Sequence, residues 1–332
     1  MKLKSKKLIL SVVCILLSVW MFALLPVGAL GSGYYNDYST ICEIKDKTVN
    51  SANCCSMQGI AVGSSYIYTA KTDTDNTTCI IRKTKISDGT TNILKFGTNE
   101  YTTVLGHAND MDVCSINGYS TLFVATMKTG SYSLAKIKVD GNTASVQGHY
   151  TLTYGGKNKS ISGIAIYSND KTNKKTTLLC KSGADFYKVT IPWSSNSGTY
   201  TLTKAFSVNR NSVKVNGANV NTSESAGFDT QGIAYHGGYV YYPLTKGNVS
   251  IVAVYKVSGA TSSSTLTSIS GLSFRITSNA YSNLFEIESV GIGSDGKLYF
   301  NTNRRAADSS VSGYANHDGI HRFKNGSGDY VF

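Results

Sequence analysis

One short unit recurs five times along the chain, and that repetition limits the folds open to it. The unit is a polar residue followed by a small or apolar stretch. It occurs as Gln58-Gly59-Ile60-Ala61-Val62, Asn109-Asp110-Met111-Asp112-Val113 and Ser162-Gly163-Ile164-Ala165-Ile166. It returns as Gln231-Gly232-Ile233-Ala234-Tyr235 and as Glu288-Ser289-Val290-Gly291-Ile292. Successive starts lie 51, 53, 69 and 57 residues apart. Repeats of this period stack or close into rings, because one unit cannot bury its own apolar face.

A second anchor keeps step with the first: Lys85-Ile86, Lys136-Ile137, Lys188-Val189, Lys256-Val257 and Arg322-Phe323. Between the anchors lie β-rich runs at 66–69, 121–125, 177–180, 239–242 and 297–301. Fourth strands are expected at 91–96, 145–154, 200–207 and 265–276; the last unit lacks one unless 329–332 supplies it. No amphipathic helix pattern interrupts them. The predicted fold is all-β, a five-bladed β-propeller of four-stranded blades spanning residues 40–332 as one domain. The run 41–49 stands where a fourth strand is missing, so an N-terminal strand is expected to close the ring and remove exposed sheet edges. Two packed β-sandwiches are the rival, but they require no fivefold repeat.

The first 29 residues read as an export signal. Lys2, Lys4, Lys6 and Lys7 precede an uncharged apolar run from Leu8 to Leu25, and Val27-Gly28-Ala29 offers small residues for cleavage. The pattern is that of a Gram-positive bacterium; an uncleaved signal acting as an anchor is the alternative, and the only membrane association expected. The expected address is secreted or extracellular, on or near the cell surface, and the expected state is a monomer. Net charge is +12, or +8 without those four lysines. An exported basic chain meets cell-wall polymers and anionic glycans rather than nucleic acid. Six cysteines follow the signal: Cys42, Cys54, Cys55, Cys79, Cys114 and Cys180. Export permits disulfides, and six cysteines leave fifteen full pairings open.

In a propeller the first strand of each blade lines the central channel. The unit starts therefore form one ring, Gln58, Asn109, Ser162, Gln231 and Glu288. Two residues earlier lies a wider ring, Ser56, His107, Ser160, Asp229 and Glu286. All ten are polar. The expected ligand-binding set is Gln58, His107, Asn109, Asp110, Ser162, Asp229, Gln231, Glu286 and Glu288. Amides, hydroxyls and carboxylates of this kind hydrogen-bond sugar hydroxyls. Lys71, Lys128, Lys181, Lys246 and Arg304 follow the second strands and are expected to form a cationic rim for an anionic polymer.

The six residues Gly106-His107-Ala108-Asn109-Asp110-Met111 resemble the blade motif of five-bladed receptor-binding modules in Gram-positive phage tails. That resemblance implies glycan binding, although a phage tail protein needs no export signal. The chain lacks the Gly-His and Trp-Asp pair of WD40 blades and the Asp box of sialidases. Five-bladed propellers also house glycoside hydrolases, which place carboxylates on successive inner strands beginning in the first blade. Here the first unit offers only Ser56 and Gln58, so catalysis by Asp229 with Glu286 or Glu288 is the alternative to binding. Lactonase-like propellers hold a divalent ion on their axis; Ca²⁺ or another divalent ion on His107, Asp110, Asp229, Glu286 and Glu288 is the corresponding alternative. No cofactor is otherwise expected. Gly291 to Gly296 spells GxGxxG, but no helix follows, so Asp295-Gly296 is read as a hairpin turn. Asp73-Thr74-Asp75-Asn76 lacks the Gly and closing Glu of a calcium loop and is read the same way. The leading expectation is a secreted carbohydrate-binding module.

Overall fold

The computed structural model describes residues 38–128, 131–215, 217–277, 281–305, 317–325 and 328–329. The export signal lies outside the described residues. Within them the chain is all-β, apart from one 3-10 turn at Glu224–Ala226.

Its larger sheets follow one pattern, in which consecutive antiparallel strands step outward from an inner one. Ser56–Val62, Tyr66–Thr72, Cys79–Lys85 and Thr91–Ile93 make the first. Asp110–Ile116, Tyr119–Ala125, Leu134–Asp140 and Thr143–Tyr154 make the second. The third runs through Gly163–Asp170, Lys175–Ser182, Asp185–Pro192 and Thr203–Val208. The fourth has its inner edge in two pieces, Asp229–Thr230 and Ala234–His236, before Tyr239–Lys246, Val249–Lys256 and Phe274–Thr277. Leu284–Ile292, Leu298–Arg305 and Gly319–Asn325 form the last, and Tyr38–Glu43 pairs antiparallel with Gly319–Asn325.

The inner strands of successive sheets are neighbours, and that of the last sheet touches that of the first. This is a propeller arrangement. Its core is divided among the spaces between sheets. Ala61, Tyr68 and Ile81 of the first sheet pack on Met111, Leu122 and Ile137 of the second. Met57, Ile60 and Ile67 of the first likewise pack on Tyr299 and Ile320 of the last. Strands flanked on both faces read as nearly continuous apolar runs: every residue of Tyr66–Thr72 after Tyr66 is buried. Tight turns join them. Asn117 and Gly118, at φ 51° and 82°, form the two-residue hairpin that a right-twisted ribbon favours. Asp295-Gly296 is also a turn, with Gly296 at φ 73°. In the Asp73 turn, Asp73 Oδ1 accepts from the backbone N–H of Thr77 and Thr78.

Several outer strands depart from the sequence reading. The expected run 91–96 breaks after Ile93, and Lys95–Phe96 pairs with the second sheet. The run 265–276 is split: Thr265–Leu266 joins the third sheet and Phe274–Thr277 the fourth. The expected fourth strand at 329–332 lies largely outside the described residues. The 69-residue spacing comes from an inserted hairpin, Ser212–Val215 with Ala218–Asn221. All six described cysteines are unpaired.

The small residue after each unit start has a steric reason. A Cβ on Gly232 would sit 2.3 Å from Ser289 Oγ and 2.5 Å from Asp110 Oδ1. A Cβ on Gly59 would meet the Asp110 backbone at 2.7 Å. Inner strands thus approach more closely than side chains allow. Gly232→Ala is expected to cost about 1–3 kcal/mol, as overpacked cores do, and a denaturant titration reads it directly.

Candidate functional site

The inner strands open at their N-terminal ends into a cavity of about 880 Å³. Gln58, His107, Gln231, Glu286 and Glu288 line it together. Five expected ligand residues from four inner edges therefore meet in one place. A β-bulge at Glu288 interrupts the alternation of the strand, and Glu286 and Glu288 both line the cavity.

The two carboxyl groups lie within hydrogen-bonding reach of each other. Glu288 is buried, 3% exposed. Burial pushes its pKa well above the usual carboxylate range, and the charge of Glu286 pushes it further. Asn303 Nδ2 donates to Glu288 Oε1, a short contact. Glu286 Oε1 accepts from Gln231 Nε2 at 2.7 Å and from Thr245 Oγ1 at 3.2 Å. A neutral carboxyl at Glu288 offers one O–H donor beside its acceptor lone pairs.

His107 is half-buried, and its Nδ1 stands 2.8 Å from Asn76 Oδ1. An amide oxygen only accepts, so Nδ1 carries the proton and Nε2 is an acceptor. Burial lowers the His107 pKa, and Glu286 opposes that shift. Gln58 Nε2 donates to Ser56 Oγ at 3.0 Å, while Gln58 Oε1 is buried without a protein partner.

Four expected site residues stand elsewhere. Asp229 is exposed and outside the lining. Ser162 is also outside it, and its carbonyl accepts from Asn109 Nδ2, which ties two inner strands together. Asp110 is corrected from ligand to strut. It is 0% exposed, and its carboxylate accepts from Ser289 Oγ at 2.5 Å, Ile164 N at 2.7 Å, Ile233 N at 2.8 Å and Met111 N at 3.0 Å. The unit repeats show why: the second position is Gly59, Asp110, Gly163, Gly232 and Ser289, and the Asp110 carboxylate occupies the space that a side chain at Gly232 would need.

The cationic rim is not assembled either. Lys71 is buried and bonds Ile44 O at 3.2 Å, Asp46 Oδ1 at 2.6 Å and Asp318 Oδ2 at 2.9 Å. Lys181 is buried beside Asp110, reaches Thr230 Oγ1 and Gln231 O, and has its pKa pushed down by burial. Arg304 is buried and donates to His317 O. Lys128 and Lys246 bond the carbonyls of Thr103 and Ala226. These long side chains fasten loops rather than face a ligand. The lining carries the acids Asp46, Glu286 and Glu288 against one cation, Arg305.

Asp46, Asn53, Thr74, Asn303 and Arg305 also line the cavity and were not anticipated. Asn303 and Arg305 lie two apart on one strand, but 301–305 reads Asn-Thr-Asn-Arg-Arg, so no alternation in the sequence marks their face. Asp46 and Asn53 come from the N-terminal segment, and nothing local marks them. Among the described residues no three His, Cys, Asp or Glu side chains converge as a metal site. The proposed divalent-ion set does not fit, because Asp110 is fully engaged and Asp229 lies apart.

No family model matches the chain, and no curated protein matches it. Distant likeness to solved structures exists. A GH43 endo-arabinanase from Bacillus licheniformis is 13% identical, with a TM-score of 0.45 over 86% of this chain and 99% of that one. A GH43_1 enzyme from Xanthomonas citri, complexed with xylose, is 9% identical, with a TM-score of 0.44 over 90% and 92%. A calcium-binding regucalcin from Agrobacterium tumefaciens is 10% identical, with a TM-score of 0.42 over 90% and 95%. Likeness this remote carries no argument about ligand or chemistry.

Proposed function

We propose that the chain is a secreted, monomeric five-bladed propeller, one domain over residues 40–332, that binds a carbohydrate at its polar mouth without cleaving it. The export signal at 1–29 supports secretion. Gln58, His107, Gln231, Glu286, Glu288 and Asn303 contact the sugar hydroxyls. The observation that carries this reading is the convergence of amide, imidazole and carboxyl groups on one open cavity. The acidic lining favours a neutral, hydroxyl-rich ligand at this end over an anionic one.

Hydrolysis is the second reading, favoured by the raised pKa of Glu288. An acid and its partner carboxylate must straddle the scissile bond, about 5–9.5 Å apart. Glu286 and Glu288 touch instead, which disfavours it. Calorimetric titration of the protein with a panel of neutral oligosaccharides, followed by product analysis, tests both readings. Saturable binding without shorter products supports the module; released sugars would replace it with an enzyme.

The blade count and ring closure belong to the same proposal. Tyr38–Glu43 supplies the outer strand of the fifth blade and so joins the two ends of the chain. Thr40 Oγ1 lies 3.1 Å from His321 Nδ1, and Tyr38 packs on Phe285 at 5.5 Å between ring centroids. Deleting residues 1–43 is expected to lower the melting temperature by roughly 10 °C or more, since it strips a strand and opens an edge. A truncated chain melting with the full-length protein would rule out closure by that strand.

A further inference from the structure

A second cavity, of about 560 Å³, lies between the third and fourth sheets at the opposite end of the inner strands. The pairing places it there. Asp229 and Thr230, which precede the mouth residue Gln231, pair with Thr245 and Leu244, whereas Tyr235 pairs with Val240 near the far hairpin. Val257 to Ser262, which also line the groove, follow the strand end where Lys256 pairs with Tyr239.

The groove differs from the mouth in charge. Tyr167 and Tyr235 pack with centroids 4.9 Å apart, and Tyr167 remains 36% exposed. The Lys188 ammonium lies 3.5 Å from the Tyr167 centroid. No carboxylate pairs with Lys188 among the described residues. Lys204 also lines the groove and is paired with Asp185, which accepts from Ser207 Oγ and Tyr187 OH as well. Thr261 and Ser262 add hydroxyls on the facing wall. A cation held on an aromatic face keeps its charge and loses less freedom when an anion arrives. Lys188 is thus the groove's cation without a carboxylate partner among the described residues.

We propose that this groove is a second binding site, for an anionic saccharide: Lys188 meets the charged group and Thr261 and Ser262 meet hydroxyls. The site stands independently of the mouth.

Calorimetry on the full chain tests it with hexagalacturonate, neutral galactohexaose and inorganic phosphate as probes. Hexagalacturonate is expected to bind saturably, and more tightly than either other probe. Lys188→Gln should weaken it about tenfold, the scale of one charge-assisted hydrogen bond, while Lys188→Arg should stay within about threefold. Tyr167→Ala should weaken it as well, by releasing the ammonium. Equal binding of galactohexaose would overturn the need for charge, and equal binding of phosphate would overturn the need for a sugar. Unchanged affinity in Lys188→Gln, or a loss confined to Glu288→Ala, would remove the ligand from this groove.

Discussion

Asp110→Ala is expected to unfold the protein at markedly lower temperature, with a stability loss of about 4 kcal/mol and a drop of roughly 10 °C. The carboxylate joins its own strand to the third, fourth and fifth sheets through Met111, Ile164, Ile233 and Ser289. Alanine would leave those buried donors unmet and leave Lys181 without the charge beside it. Each orphaned donor costs about 1–3 kcal/mol. The expected sum is larger than relaxation recovers, because the neighbouring glycines offer no side chain to fill the space. Asp110→Asn keeps one acceptor but turns an N–H₂ toward other donors, so it should fall between the two. Thermal melts followed by circular dichroism decide the matter. A melting point within about 2 °C of wild type for Asp110→Ala would show that the sheets are held by their apolar contacts alone.

The second large effect concerns acidity at the mouth. Glu288 has its pKa raised by burial and by Glu286. While protonated it offers an O–H donor, and the proton relieves its repulsion with Glu286. As pH rises through the folded value the proton leaves, and sugar binding should weaken by about tenfold or more, one lost donor and one added repulsion. Glu288→Gln keeps an N–H donor that does not titrate, so its affinity should be nearly flat between pH 5 and 9. Stability should follow the same sign. A carboxyl with a raised folded pKa stabilises the fold in acid, and that contribution is lost as pH climbs from the ordinary glutamate range through the folded value. The melting temperature of Glu288→Gln should therefore gain on wild type as pH rises. Parallel pH profiles for the two proteins, in binding and in melting, would remove Glu288 from both roles.

Much of the arrangement was legible in the sequence because inner strands obey a tight steric rule. Close approach demands a small residue after each polar start, and that demand leaves the same letters at Gly59, Gly163 and Gly232. The exception at Asp110 was visible too, yet its meaning was not. A carboxylate among glycines reads as a ligand until the donors of Ile164 and Ile233, far away in the chain, are seen around it. The basic residues misled for a related reason. Lys71 and Lys181 carry a charge on a flexible stem, and spacing alone does not show whether that stem runs outward or back to a carbonyl. Asp46 reaches the mouth only because Tyr38–Glu43 is paired beside the last sheet, a contact between the two ends of the sequence. Asn303 and Arg305 gave no local signal, because every residue from Asn301 to Arg305 is polar.

The strut at Asp110 also settles the traffic through the molecule. Its carboxylate and the four groups around it stopper the axis, so the polar mouth is a cul-de-sac rather than a tunnel. Under the proposed reading, a glycan polymer is not threaded along this axis but enters the mouth by a terminus or a short side branch. Capacity on a given weight of glycan is then expected to rise as the glycan is cut into shorter pieces.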